Sequence, residues 1–262
     1  MTLVPGGRTK WSELDDWLAT ITLDVPDCEV AVLRGVIDES GTHLNARALC
    51  VAACVGTSTQ WAKLRKAWDP EVIGALGAVE KYHAKDAACG DLNFLLAELI
   101  VQHMDYAIVS VIRESEFKAV VPQDIRSFFG SAYKIGVDAC LSYTSLHFHK
   151  QKKIAWVIEA GHKNEAAVRE YLNGVLVRPV SMKDYGVQSV TWVDKRNPLI
   201  HPADLLAHET ATCVDGPLTR VFNILVRRSL IVDLTQEQLA GFASDAVEAR
   251  ATIKRFRRQN KQ

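Results

Sequence analysis

Three carboxylates stand at the ends of apolar segments. Asp38 follows VLRGVI, Glu159 follows IAWVI, and Asp204 sits within IHPADLLAH. Converging carboxylates supply the hard oxygen donors that Mg2+ and Mn2+ require. In an α/β sheet, ligands gather beyond the carboxyl ends of the strands, so Asp38 and Glu159 are placed to share one edge. Pro202 suits a first helical position, which puts Asp204 in the first turn of a helix. His208 follows at i+4, on the same helix face as Asp204. Each acid also has a plainer reading. An Asp before Ser-Gly is a common turn residue, an acid in a first helical turn complements the macrodipole, and Glu159 before Ala-Gly can simply be solvated. All three together, each after an apolar segment, point to a metal site.

The elements that must position these acids follow from periodicity. Residues 28–37 (CEVAVLRGVI) are β-branched and apolar enough for a buried strand that stops at Asp38-Glu39-Ser40-Gly41. Residues 44–55 read as a second strand, joined to the first as a hairpin. A helix over 57–67 opens on hydroxyl residues, with Trp61, Leu64 and Trp68 at helical spacing. A short extended piece over 80–86 precedes a helix capped by Asp91 and running to His103. Strands at 106–112, 153–158 and 187–193 then alternate with helices at 125–147, 164–176 and 202–212. The last stretch, 221–258, is helical with a short extended break near 230–234. A hairpin followed by alternating helices and strands predicts a mixed α/β sheet with helices on its faces.

Four stretches resemble one known family. They are Val36 to Thr42 (VIDESGT), Tyr82 to Asp86 (YHAKD), Ile158 to Gly161 (IEAG) and His201 to Ala207 (HPADLLA). In this order and separation they look like the landmarks of the domain-of-unknown-function-3800 family of prokaryotes and phages. The resemblance spans about residues 30 to 210 and implies a ribonuclease H-like α/β fold with a metal-dependent nuclease site. It assigns Asp38 as first-strand ligand, Glu159 as later-strand acid and Asp204 as helix acid. Glu39, His83 and Asp86 fall within the matched motifs, Glu39 and Asp86 as secondary site residues.

Such a site would use Mg2+ or Mn2+ to hydrolyse a phosphodiester of RNA or DNA, with two ions about 3.5–4 Å apart. His83 and His208 are the candidates for moving protons, histidine being the side-chain type suited to that near neutral pH. A second reading is a nucleic-acid-binding or interaction module that keeps the fold without turnover. A third, actin-like phosphotransferase or ATPase reading rests on the run from Asp38 to Thr42. It needs two such lobes, and 262 residues with one set is short for it. P-loop, dinucleotide and hydrolase-elbow motifs are missing from the sequence.

Composition bounds these readings. The chain has 48% hydrophobic and 24% charged residues, enough for a sizeable core, which excludes wholesale disorder. The 31 basic residues balance the 31 acidic ones, which excludes a protein that is basic all over. The balance hides a division. The last 13 residues hold Arg250, Lys254, Arg255, Arg257, Arg258 and Lys261 with no acid, so the preceding 249 carry a net charge of −6. That tail is the candidate nucleic-acid-binding segment, although a basic helix end also suits the macrodipole. The expected organisation is a leader over 1–27, a ribonuclease H-like domain over 28–215, and a helical extension with the basic tail over 216–262. No apolar run resembles a signal peptide or a membrane span, and six scattered cysteines read as reduced thiols, so a cytoplasmic location without membrane contact is expected. Cys50, Cys54 and nearby His43 are too few for a zinc site, which wants four ligands, and the cysteines read as core filler.

Overall fold

The computed structural model describes residues 33–41, 46–86, 90–121, 123, 131–148, 153–176, 185–241 and 243–244. Six strands form one sheet in the order β5-β4-β1-β2-β3-β6. They are β1 (Leu33–Ser40), β2 (Ala48–Thr57), β3 (Tyr106–Arg113), β4 (Ile154–Glu159), β5 (Val187–Val193) and β6 (Ser229–Asp233). β2 runs antiparallel to both β1 and β3, while β1/β4, β4/β5 and β3/β6 are parallel. Five strands therefore point one way, and their carboxyl ends lie along one edge. The expected mixed α/β sheet flanked by helices is the architecture observed.

Both faces of the sheet are covered, as the near-continuous apolar strands require. Alternation along β2 shows the division. Cys50, Ala52 and Cys54 pack on one face with Val36, against Trp61, Leu64 and Trp68 of α1 (Ser58–Leu76), Leu96 and Ile100 of α2 (Gly90–His103), and Leu205 and Leu206 of α6 (His201–Asp215). Val51, Ala53 and Val55 pack on the other face with Ile37, against Tyr133, Val137 and Leu141 of α4 (Ala132–His147) and Val168 and Leu172 of α5 (Glu165–Leu176). Burial of this order stabilises by about 25 cal/mol per Å² of apolar surface.

Several boundaries depart from expectation for local reasons. β1 does not stop at Asp38: its ladder with β2 continues through Asp38 opposite Ala52, Glu39 opposite Val51 and Ser40 opposite Cys50. The strand ends only at Ser40, and the next residue, Gly41, has a left-handed φ of 85°. Helix α1 runs through Pro70 to Leu76 because Trp68 and Val72 remain buried, and Gly77 at φ 78° ends it. The 80–86 piece is a 3-10 turn over Val79–Lys81 followed by a loop. An unexpected short helix, α3 (Glu114–Val120), is held by a Lys118–Glu114 ion pair at 2.8 Å and a buried Phe117. Too short to show a period in the sequence, it follows β3 directly. The extended break expected near 230–234 is β6, which pairs with β3 and follows the short helix α7 (Arg220–Leu225). The leader over 1–27, residues 28–32, Thr42, His43 and the tail residues Arg250, Lys254, Arg255, Arg257 and Arg258 lie outside the described residues.

Among the described residues no helix is long and apolar enough to cross a membrane. Cys50, Cys54 and Cys140 are buried free thiols, and Cys213 is half-buried. Burial pushes the Cys54 thiol up to about 12, which keeps it protonated and makes it core filler rather than a ligand.

Candidate metal centre

The last paired residues of β1 and β4 are Ile37 and Ile158, opposite each other in the parallel ladder. One step further along each strand come Asp38 and Glu159. They follow the parity of Val36 and Val157, whose side chains pack on the α6 face. Glu39 has the parity of Ile37 and rises from the α4 face. At the open end of the sheet the three meet: Asp38, Glu39 and Glu159 each present a carboxylate oxygen, all within 4.8 Å of one another. That is a group able to hold a metal ion. The Asp38 Oδ1 also accepts the Glu39 backbone N–H at 2.8 Å, which orients the Asp38 carboxylate.

Asp204 approaches from the first turn of α6 and stands just outside that tightest group. Its Oδ2 accepts the Ala84 backbone N–H at 2.9 Å and lies 3.6 Å from the His83 Nδ1. Asp38, Glu39, Glu159, Asp204, His83 and His208 line one cleft of about 710 Å³. Asp86 does not line it: this residue is exposed, its backbone N–H closing a turn on the His83 carbonyl. The sequence-based trio thus shares one cleft, and its most compact subset exchanges Asp204 for Glu39.

The electrostatics reflect the crowding of these acids. Asp38 is 3% exposed. Burial pushes its carboxyl well above the usual range, and a hydrogen bond to Glu159 and the charges of Glu39, Glu159 and Asp204 push the same way. Burial, then Glu159 and Asp204, push Glu39 up to about 8, although its own backbone N–H and the nearby Tyr133 hydroxyl pull it back. Two acids that resist ionisation side by side are what a bound dication would relieve, and their hard oxygens suit Mg2+ or Mn2+.

Sequence reasoning missed three contributors. Tyr133, wholly buried on α4, places its hydroxyl beside Glu39. The only signal in the sequence was an aromatic in a helix, indistinguishable from core. His201 is 1% exposed at the start of α6, and it lines the cleft. Burial, followed by the neighbouring His83, lowers it to about 3, so it stays neutral. Lys195 sits on the loop after β5 and, with Lys85, brings positive charge to the acid cleft. Neither lysine makes an ion pair among the described residues.

No family model matches the chain, and no curated protein matches it in sequence. Among solved structures it is similar to Bst-RNase HIII in complex with Mn2+, with a TM-score of 0.44 and 14% sequence identity over 84% of this chain and 71% of that one.

Proposed function

We propose that this protein is a divalent-metal-dependent nuclease of the domain-of-unknown-function-3800 family, with a ribonuclease H-like fold, that hydrolyses phosphodiester bonds of RNA or DNA. The observation that carries this reading is the meeting of Asp38, Glu39 and Glu159 within 4.8 Å at the carboxyl ends of two parallel strands, past their last shared pair. Together with Asp204 across the cleft, they would hold Mg2+ or Mn2+. A dication bound there would supply Lewis acidity, to activate a water and to stabilise the leaving oxygen of a phosphodiester.

The chain's own residues supply the rest. Asp204 holds the His83 segment through Ala84, leaving the His83 imidazole at the cleft for proton transfer. His208 presents a second imidazole one turn further along α6. Lys85 and Lys195 offset the acidic cleft for an approaching polyanion. In this reading residues 28–215 form the catalytic domain. The extension over 216–262 adds β6 to the sheet beside β3, and its Arg250, Lys254, Arg255, Arg257 and Arg258 would bind phosphates.

The test is cleavage of labelled RNA, DNA and RNA–DNA hybrid by purified protein with Mn2+, Mg2+ or EDTA, alongside Asp38→Asn. Cleavage that needs the dication and disappears in the variant is expected. If every substrate stays intact, or if Asp38→Asn cuts as well as the parent, the nuclease reading fails. Retardation of the same substrates without cleavage would instead identify a binding module.

A further inference from the structure

We infer that Asn93 is the positioning residue of the arm that carries His83 and reaches Asp204, an inference that rests on the nuclease reading for its catalytic consequence. Asn93 lies on α2, outside the cleft, and is 4% exposed. Its Nδ2 donates to the Ala84 carbonyl at 2.9 Å, and its Oδ1 accepts the Tyr82 hydroxyl at 2.8 Å. The carbonyl of Ala84 can only accept, so the amide orientation is settled by the network itself. One side chain therefore grips the residues on both sides of His83.

The grip passes directly to the site. The peptide nitrogen of Ala84, whose carbonyl Asn93 holds, donates to the Asp204 Oδ2 at 2.9 Å. The Tyr82 ring is wedged between Trp68, edge-on at 5.6 Å, and His201 at 5.0 Å. The 82–84 segment has no regular secondary structure to hold it. Besides the backbone bonds from the Tyr82 N–H to the Val79 carbonyl and from the Asp86 N–H to the His83 carbonyl, Asn93, the packing of Tyr82 and Asp204 hold it. Asn93 stands in the first turn of α2 with its side chain buried, and a buried amide needs partners. Here both functional groups of the amide are used on the segment that bears His83. Leucine at this position would fill the volume and hold nothing.

Three variants and a control test this. Asn93→Leu removes both bonds. Asn93→Asp keeps the acceptor for Tyr82 but sets an oxygen against the Ala84 carbonyl, and Tyr82→Phe removes one bond while keeping the ring. Leu96→Ala, in the core on the same helix, lowers stability while leaving the hydrogen bonds of Asn93, Tyr82, Ala84 and Asp204 in place. Loss of an outer-shell partner costs about 10–100-fold, so Asn93→Leu and Asn93→Asp should lower kcat and weaken Mn2+ binding by amounts in that range. Tyr82→Phe should give a smaller loss in the same direction. Hydrogen exchange at the Ala84 amide should quicken by about tenfold or more in the Asn93 variants, and stay at the parent rate in Leu96→Ala.

An Ala84 amide whose exchange does not respond to Asn93→Leu or Asn93→Asp overturns the inference. So does a loss of Mn2+ affinity in Leu96→Ala as large as in the Asn93 variants. If the parent cuts no nucleic acid, the nuclease reading fails, while Mn2+ affinity and Ala84 exchange still decide the role of Asn93. Should the Asn93 variants not fold, Tyr82→Phe decides the question by the same two measurements.

Discussion

The Nδ1 of His83 lies 3.6 Å from the Oδ2 of Asp204, and the same oxygen accepts the Ala84 N–H across a separation of 120 residues. Asp204 is thereby both a wall of the acid cleft and the anchor of the histidine beside it. Groups that act as a unit are non-additive. His83→Ala is expected to lower kcat by about 100-fold, the low end of general acid–base catalysis. Asp204→Asn should lose at least as much, and the double variant should be no worse than Asp204→Asn alone. Single-turnover cleavage of the three proteins is the measurement. Multiplying losses would show that the two side chains work independently.

The crowded acids make stability depend on pH and metal. Glu39 titrates near 4.5 when unperturbed and is pushed up to about 8 in the folded protein. A carboxyl raised in this way favours folding fully below its unfolded value, and the contribution is lost as pH rises toward the folded one. Asp38 is shifted in the same direction. In EDTA the melting temperature should therefore fall between about pH 5 and about pH 8.5, and saturating Mn2+ should restore it. A metal-free melting temperature that rises over this interval would contradict the geometry.

Neutralising one acid should separate stability from function. Without metal at pH 8, Asp38→Asn should melt above the parent, by about 2–4 °C for each kcal/mol of repulsion relieved. It should also lose the gain in stability that Mn2+ confers on the parent. Thermal melts with and without Mn2+ read both effects, and an Asp38→Asn protein that Mn2+ stabilises as strongly as the parent would remove Asp38 from the ligand set.

β1 and β4 carry the acids, so their packing sets the site. A Cβ on Gly35 would collide with the six-membered part of the Trp156 ring, directly across the parallel ladder. Overpacking of this kind costs about 1–3 kcal/mol. Gly35→Ala should lower the urea midpoint correspondingly and weaken Mn2+ binding, because the buried Trp156 would press on β4, which ends at Glu159. Equilibrium unfolding and Mn2+ titration of the same preparation check this.

The basic tail is expected to supply affinity. A chain ending at Ala249 should bind single-stranded RNA or DNA more weakly, and the dependence of log K on log salt should flatten by about 0.7 for each phosphate that the tail neutralises. Gel retardation over a salt series measures it. An unchanged slope would assign the six basic residues to a solvated helix end.

Much of this protein was legible in its sequence, because local rules determine the parts involved. The strand at 187–193 and the helix through Leu96 and Ile100 follow from side-chain periodicity, and Asp38, Glu159 and Asp204 were marked by their position at the ends of apolar segments. Tertiary structure decided which acids meet. Strand alternation sends Glu39 to the opposite face from Asp38, yet past the end of the β1/β4 ladder both carboxylates converge on Glu159. The desolvation that raises Asp38, the hydroxyl of Tyr133 beside Glu39, and the hydrogen bond from Ala84 to Asp204 all depend on elements far apart in the chain. Periodicity reports which face a residue takes within its own element. Charge crowding and hydrogen bonding depend on which faces are brought together, and only the packed sheet and helices determine that.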